Sequence, residues 1–400
     1  MEEAKPSAPG APGTTAAKPA APKPEGALGD ILVAGRPVTG SEASGLPQAP
    51  WRRTYTDGAL YSAVTGYRSL PFGAAGLEGL LQKKIDAGED VVTTIDPVLQ
   101  RAAFDALRGR KGAAIVLDAR TGEIAALVSA PAFDPGTFSG NRVADGKAWD
   151  RLKDDPDKPL FNKALRNAEN IGSAAHVVVA ATALEKGLLA SVDTPTLSPA
   201  VHTVPDSTAQ FAGDPAHCAN ASLRVALRHA CSNVFARLAA DLGAEALAAT
   251  AGEFGFNVEQ MDTPLRTWVS TWPERPGNPA QLALTANGLF DTKAVPVHMA
   301  MVMAAIGNGG TRVHPRMVND PKTPAPAGRA VSRHTAEQLR SAVGDSVSAW
   351  VPSASVTWAL ASGSGPGGRP LAVAVCLSTS ADTTGEAARI AGRLAGSARL

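Results

Sequence analysis

The 400-residue chain carries 38 basic and 37 acidic residues with no block of like charge, which argues against a polyanionic partner such as nucleic acid or an anionic membrane surface. Its 44% hydrophobic content is too high for a disordered chain, and its length exceeds one small core, so two folded units are expected behind a tail. No apolar run approaches the roughly 18 residues that span a bilayer, and the N-terminus has no apolar segment resembling a signal peptide, so the chain is expected to be soluble and to carry no membrane anchor of its own.

Residues 1–26 are nearly all Ala, Pro, Lys, Gly, Ser, Thr and Glu. Such a segment cannot bury enough surface to offset its ordering entropy, and is expected to be a disordered, extended tether. Residues 29–110 alternate short strand-like pieces with Gly-rich turns. At their end, residues 91–96 alternate as a strand does, and Pro97 then opens a helix whose Leu99, Ala102, Ala103 and Leu107 share one face. This is the expected joint between a unit at 27–110 and a second at 111–400.

In the second unit, residues 113–117 and 123–128 read as two strands around a short turn-forming loop, an antiparallel hairpin at a sheet edge. Ser173 is expected to open a helix that is apolar on nearly all sides from Val177 to Leu184 and stops near Gly187, and therefore lies at the centre of its domain. Helical patterns follow near residues 223–242, 279–289, 296–306 and 336–343. A strand at 371–377 and a last helix at 385–394 complete an α+β arrangement.

Of the three cysteines, Cys376 lies in a strand-like apolar run and reads as an inert core thiol. Cys218 and Cys231 stand thirteen residues apart. They could pair as a disulfide, which would place the protein outside the cytoplasm, or join His217 and His229 as four metal ligands, in a spacing unlike the familiar zinc patterns.

Three ordered motifs, Thr94-Ile95-Asp96-Pro97-Val98-Leu99-Gln100, Leu117-Asp118-Ala119-Arg120-Thr121-Gly122-Glu123-Ile124, and Gly172-Ser173 followed by a long apolar helix closing on Ala183-Leu184-Glu185-Lys186-Gly187, resemble the class B penicillin-binding proteins. The segments around Gly29-Asp30-Ile31 and residues 61–78 resemble the actinobacterial type. The resemblance implies a penicillin-binding transpeptidase fold of the serine β-lactamase-like kind. That fold has a five-stranded antiparallel sheet flanked by helices, an extended N-terminal pedestal or dimerisation-like domain over 27–110, and a family membrane anchor absent from this chain. It also implies that Cys218 and Cys231 form a disulfide, since actinobacterial members bond a cysteine at the middle of their second motif to an upstream one.

Family catalysis rests on Ser-x-x-Lys, Ser-x-Asn and Lys-Thr-Gly motifs meeting in one cleft. Here the first reads Ser173-Ala174-Ala175-His176, replacing the lysine base with a shorter, stiffer imidazole. The competing structural reading makes Ser173 an N-cap and His176 a packed helix residue. Anchored on Phe235, the second motif reads Ala230-Cys231-Ser232; shifted by one residue it reads Cys231-Ser232-Asn233, and neither register supplies both serine and amide. For the third, Gly363-Ser364-Gly365 keeps a hydroxyl at Ser364 without the cation. Alternatively, residues 357–360 match the strand that follows the motif, which would leave the motif strand shortened or deleted; residues 344–371 look too few for every element required, and this second alignment is preferred. No cofactor is called for. The leading expectation is a catalytically inactive homologue acting as a scaffold or binding component in peptidoglycan assembly at the cell envelope, outside the cytoplasm. Its partners would be cell-envelope assembly proteins or a peptidoglycan stem peptide. The alternatives are residual serine acyl transfer by Ser173 with His176 as base, and non-covalent sensing of a stem peptide or a β-lactam.

Overall fold

The computed structural model describes residues 23–258, 265–319, 328–344, 346–351, 356–378 and 384–396. The tether expected over residues 1–26 lies outside them as far as residue 22. Lys23, the first described residue, pairs with Asp30 at 3.0 Å and with Asp90.

The centre of the chain is a five-stranded antiparallel sheet of β1 (Lys111–Asp118), β2 (Ile124–Ala130), β3 (Ser346–Val351), β4 (Val356–Ser364) and β5 (Pro370–Ser378), in the order β3-β4-β5-β1-β2. Its inner strands are apolar at successive positions because both faces are covered. In β1, Ala113, Ile115 and Leu117 join one core cluster while Ala114 and Val116 join another on the opposite face. Helices α1 (Pro97–Ala106) and α5 (Thr384–Leu394) cover the second face. The first face carries α4 (Pro296–Gly307) directly on the sheet, with α2 (His176–Glu185) and α3 (Ser232–Phe254) packed against each other beyond it. Val177 to Ala181 and Ala183 are fully buried, as expected of a central helix.

The expected helix over 223–242 is instead two helices, Leu223–Arg228 and α3, and α3 itself is broken at Gly243, φ 79°, directly after the expected end at Leu242. Ala230 between them adopts φ 49°, which no continuous helix accommodates. A second difference concerns β3. The strand thought shortened or deleted is not deleted: six residues pair with β4 from Ser346↔Ala361 to Val351↔Val356. It fits between Val343 and Val356 because the helix before it ends at once on Gly344, at φ 63°.

N-terminal to the sheet, the strand Ile31–Val33 pairs with Arg36–Pro37 on one side and Val91–Val92 on the other, and Thr39–Leu46 pairs with Ala49–Tyr55. The interior of this module holds a charged group. The Arg53 guanidinium, fully buried, meets Glu78 at 2.6 Å and donates to the Gly29 carbonyl at 2.8 Å, and Arg68 reaches Glu78 at 3.2 Å. Gln100 of α1 joins the module to the sheet: its amide N–H groups donate to the carbonyls of Leu60 (2.8 Å) and Leu127 (3.0 Å), and its oxygen accepts from the Leu127 N–H (2.9 Å).

Candidate active site

The corner leading into α2 is set by two glycines in contact. Gly172 has φ 53° and donates its N–H to the Gly288 carbonyl at 3.0 Å. A Cβ on Gly288 would lie 2.0 Å from the Gly172 oxygen, so this approach requires glycine there. The tight corner leaves room for one 3-10 turn, Gly172–Ala175, and the α-helix starts only at His176. Ser173 therefore sits half-buried inside that turn. It neither opens the α-helix nor occupies an N-cap position, contrary to both sequence expectations.

His176 is 1% exposed. Its ring stacks on Phe235 with centroids 3.8 Å apart and planes 12° from parallel, and its Nε2 lies 2.9 Å from Asn287 Oδ1. The Asn287 amide nitrogen donates to Ala283 O at 2.8 Å and to Ser232 O at 3.4 Å, so Oδ1 is the acceptor and the imidazole carries its proton on Nε2. Among the described residues, Nδ1 is buried with no hydrogen-bond partner. Burial pushes the pKa of His176 down to about 4, against the opposing pull of the Asn287 hydrogen bond, so the ring is neutral at pH 7.

The second motif lies where α3 begins. Cys231 precedes the first turn and is bonded to Cys218, with Cα atoms 5.4 Å apart. The bond removes both thiols from any metal set, so the four-ligand alternative is overturned. Ser232 Oγ donates to Ala212 O at 2.8 Å. Asn233 is buried, and its amide donates to Pro199 O (2.7 Å) and Cys218 O (2.9 Å), which commits it to the disulfide-bonded loop.

At the third position, the β3 backbone runs beside the Gly172–Ala175 turn. Its sequence, Ser346-Val347-Ser348-Ala349-Trp350-Val351, contains no Lys, Thr or Gly. Trp358 of β4, opposite Ala349, donates its indole N–H to Asn170 O at 2.8 Å, which ties this end of the sheet to the corner bearing Ser173. Ser364 stands six residues further along β4, opposite Pro370. At the rise of an extended strand that is about 20 Å away.

The structure thus gathers His176, Phe235, Asn287 and the Ser232 backbone, one turn from Ser173. It does not bring the Asn233 amide or Ser364 to them. Asn287 escaped sequence reasoning because Asn287-Gly288 closing an apolar helix reads as an ordinary helix stop.

Residues 112–365 match the penicillin-binding protein transpeptidase domain, and residues 28–110 match the penicillin-binding protein A dimerisation domain. The chain belongs to the penicillin-binding protein family. It is 32% identical over 327 residues to the peptidoglycan D,D-transpeptidase PbpA of Mycolicibacterium smegmatis, covering 74% of this chain and 66% of that protein. It is 27% identical to the peptidoglycan D,D-transpeptidase MrdA of Escherichia coli K12, over 64% of this chain and 42% of the relative. The chain thus spans a little under two thirds of the PbpA length and less than half of MrdA. Penicillin-binding protein A from M. tuberculosis, solved as its imipenem acyl-enzyme complex, superposes with a TM-score of 0.84 at 28% identity, over 92% of this chain and 98% of that one. The class B penicillin-binding fold expected from the motifs is the fold observed. Among the described residues, no helix is long and apolar enough to cross a membrane.

Proposed function

We propose that this chain is a catalytically silent penicillin-binding protein that acts outside the cytoplasm as a scaffold or binding component of peptidoglycan assembly, with envelope assembly proteins or a stem peptide as partners. The observation that carries the reading is the state of His176. A general base must reach the Ser173 hydroxyl, but this ring is clamped between Phe235 and Asn287, its one proton is donated to Asn287 Oδ1, and among the described residues its Nδ1 accepts no hydrogen bond. Two further departures point the same way. The Asn233 amide holds the disulfide-bonded loop, and β3 has no cation to attract a substrate carboxylate beside the oxyanion hole. A lost base and a lost electrostatic partner each reduce rates by roughly 100-fold or more, and although such losses do not simply multiply, a cross-linking rate typical of the relatives is not expected.

One observation favours a second reading, residual acyl transfer by Ser173. His176 is neutral at pH 7 and, among the described residues, keeps an unpartnered lone pair on Nδ1, one turn from the serine, as a base would require. Treatment with a fluorescent penicillin, read by gel and intact mass, separates the two. The silent reading expects no adduct that depends on Ser173; a stoichiometric adduct in the parent chain that disappears in Ser173→Ala establishes the second.

A further inference from the structure

Outside the cleft, Asp214, His217 and His229 meet on the surface beside the disulfide. Each offers a ligand atom, and these atoms lie within 4.8 Å of one another. The two imidazoles stack with centroids 4.0 Å apart and planes 8° from parallel. The carboxylate is held in place: Asp214 Oδ1 accepts from the Ala216 N–H at 3.0 Å, and Oδ2 faces His217 Nδ1 at 2.7 Å. The disulfide adds rigidity from behind, since Cys218 follows His217 directly and Cys231 stands two residues after His229. Three donors from two separate segments are thereby kept together, although none is buried.

We propose that Asp214, His217 and His229 form a binding site for a divalent transition metal of the zinc class. Two neutral imidazoles and one carboxylate are the donor set such ions prefer over calcium or magnesium. Ligand atoms around a tetrahedral zinc ion sit about 3.3 Å apart, as follows from bonds of about 2.0–2.1 Å. To enclose one, the two exposed rings turn out of their parallel stack so that a nitrogen of each faces the ion, and the Asp214–His217 pair opens from 2.7 Å. The metal takes the place of the hydrogen in the Asp214–His217 contact, the single proton of the neutral His217 ring then residing on the nitrogen that does not bind the ion, and water fills the remaining position. Bound there, it cross-links the loop carrying Asp214 to His229, the residue immediately before Ala230 of the second motif, and fixes one wall of the region around Ser232.

The test is calorimetric titration of the untagged 400-residue chain with Zn2+, with Co2+ absorbance as a second readout, set against the double variant His217→Ala/His229→Ala. The expected result is one ion per chain, tenfold or more weaker binding in each single variant, and loss of that ion in the double variant, which retains His202, His314 and His334. Because the ligands are exposed, the metal-free double variant is expected to melt with the parent, and Zn2+ is expected to raise the midpoint of the parent only. Equal stoichiometry and affinity in parent and double variant, or no binding by the parent, overturns the proposal.

Discussion

At the residue scale, the buried histidines carry a pH signature. Burial lowers His176 and His298 to about 4 each, from an ordinary 6.5. Between pH 6.5 and 4 the unfolded chain binds protons that the folded chain refuses, so stability is fully present above 6.5 and is lost as pH falls through that window. Denaturant titrations at pH 7.5 and pH 5 should differ by about 2 kcal/mol for each histidine. His176→Phe should remove one share of that difference; an unchanged difference would mean that the ring titrates normally. The same environment bears on repair of the motif. His176→Lys places an ammonium at a 1%-exposed position against Phe235, and Ser232→Asn returns an amide, yet β3 still offers no cation. The double variant is therefore expected to stay unlabelled by fluorescent penicillin, and clear labelling would show that the third motif is dispensable.

At the scale of elements, the strongest dependence falls on groups that join them. Replacing Gln100 with Leu leaves the carbonyls of Leu60 and Leu127 and the Leu127 N–H without their partner, all inside the joint between α1, the N-terminal module and β2. Each unsatisfied buried group costs about 1–3 kcal/mol, so a loss of several kcal/mol is expected in chemical denaturation, against under 1 kcal/mol if water enters to replace the amide. The disulfide ties the start of α3 to the preceding loop, and Cys218→Ser/Cys231→Ser should cost about 2–4 kcal/mol. Alkylation under non-reducing conditions that finds two free thiols there would contradict the bond.

At the scale of the whole molecule, the module and the transpeptidase domain share one apolar interior: Ile31, Val64, Leu77 and Ile85 belong to the same cluster as Ile115, Leu117 and Leu127. Calorimetry is therefore expected to give a single unfolding transition, with no separate melting of residues 28–110. Two resolved transitions would mean that the shared cluster does not couple the units.

Much of this was legible in the residues themselves. Periodicity located the helix opening at Pro97, the buried helix from Val177, the closing strand around Cys376 and the last helix, because alternation and all-round apolarity are local consequences of which faces are covered. The motif sequences gave the family and pointed to the Cys218–Cys231 bond. What the sequence could not supply was whatever depends on groups distant in the chain. The 3-10 turn at Ser173 follows from Gly172 packing on Gly288, more than a hundred residues away. The neutral, clamped state of His176 follows from Phe235 and Asn287, and the use of the Asn233 amide follows from Pro199. The presence of β3 depended on pairing with β4, since six weakly patterned residues form a strand only when a neighbouring strand accepts their hydrogen bonds. Local pattern thus determined which elements exist and which family they build. Tertiary packing alone decided which polar atoms face one another, and on that any chemistry at Ser173 depends.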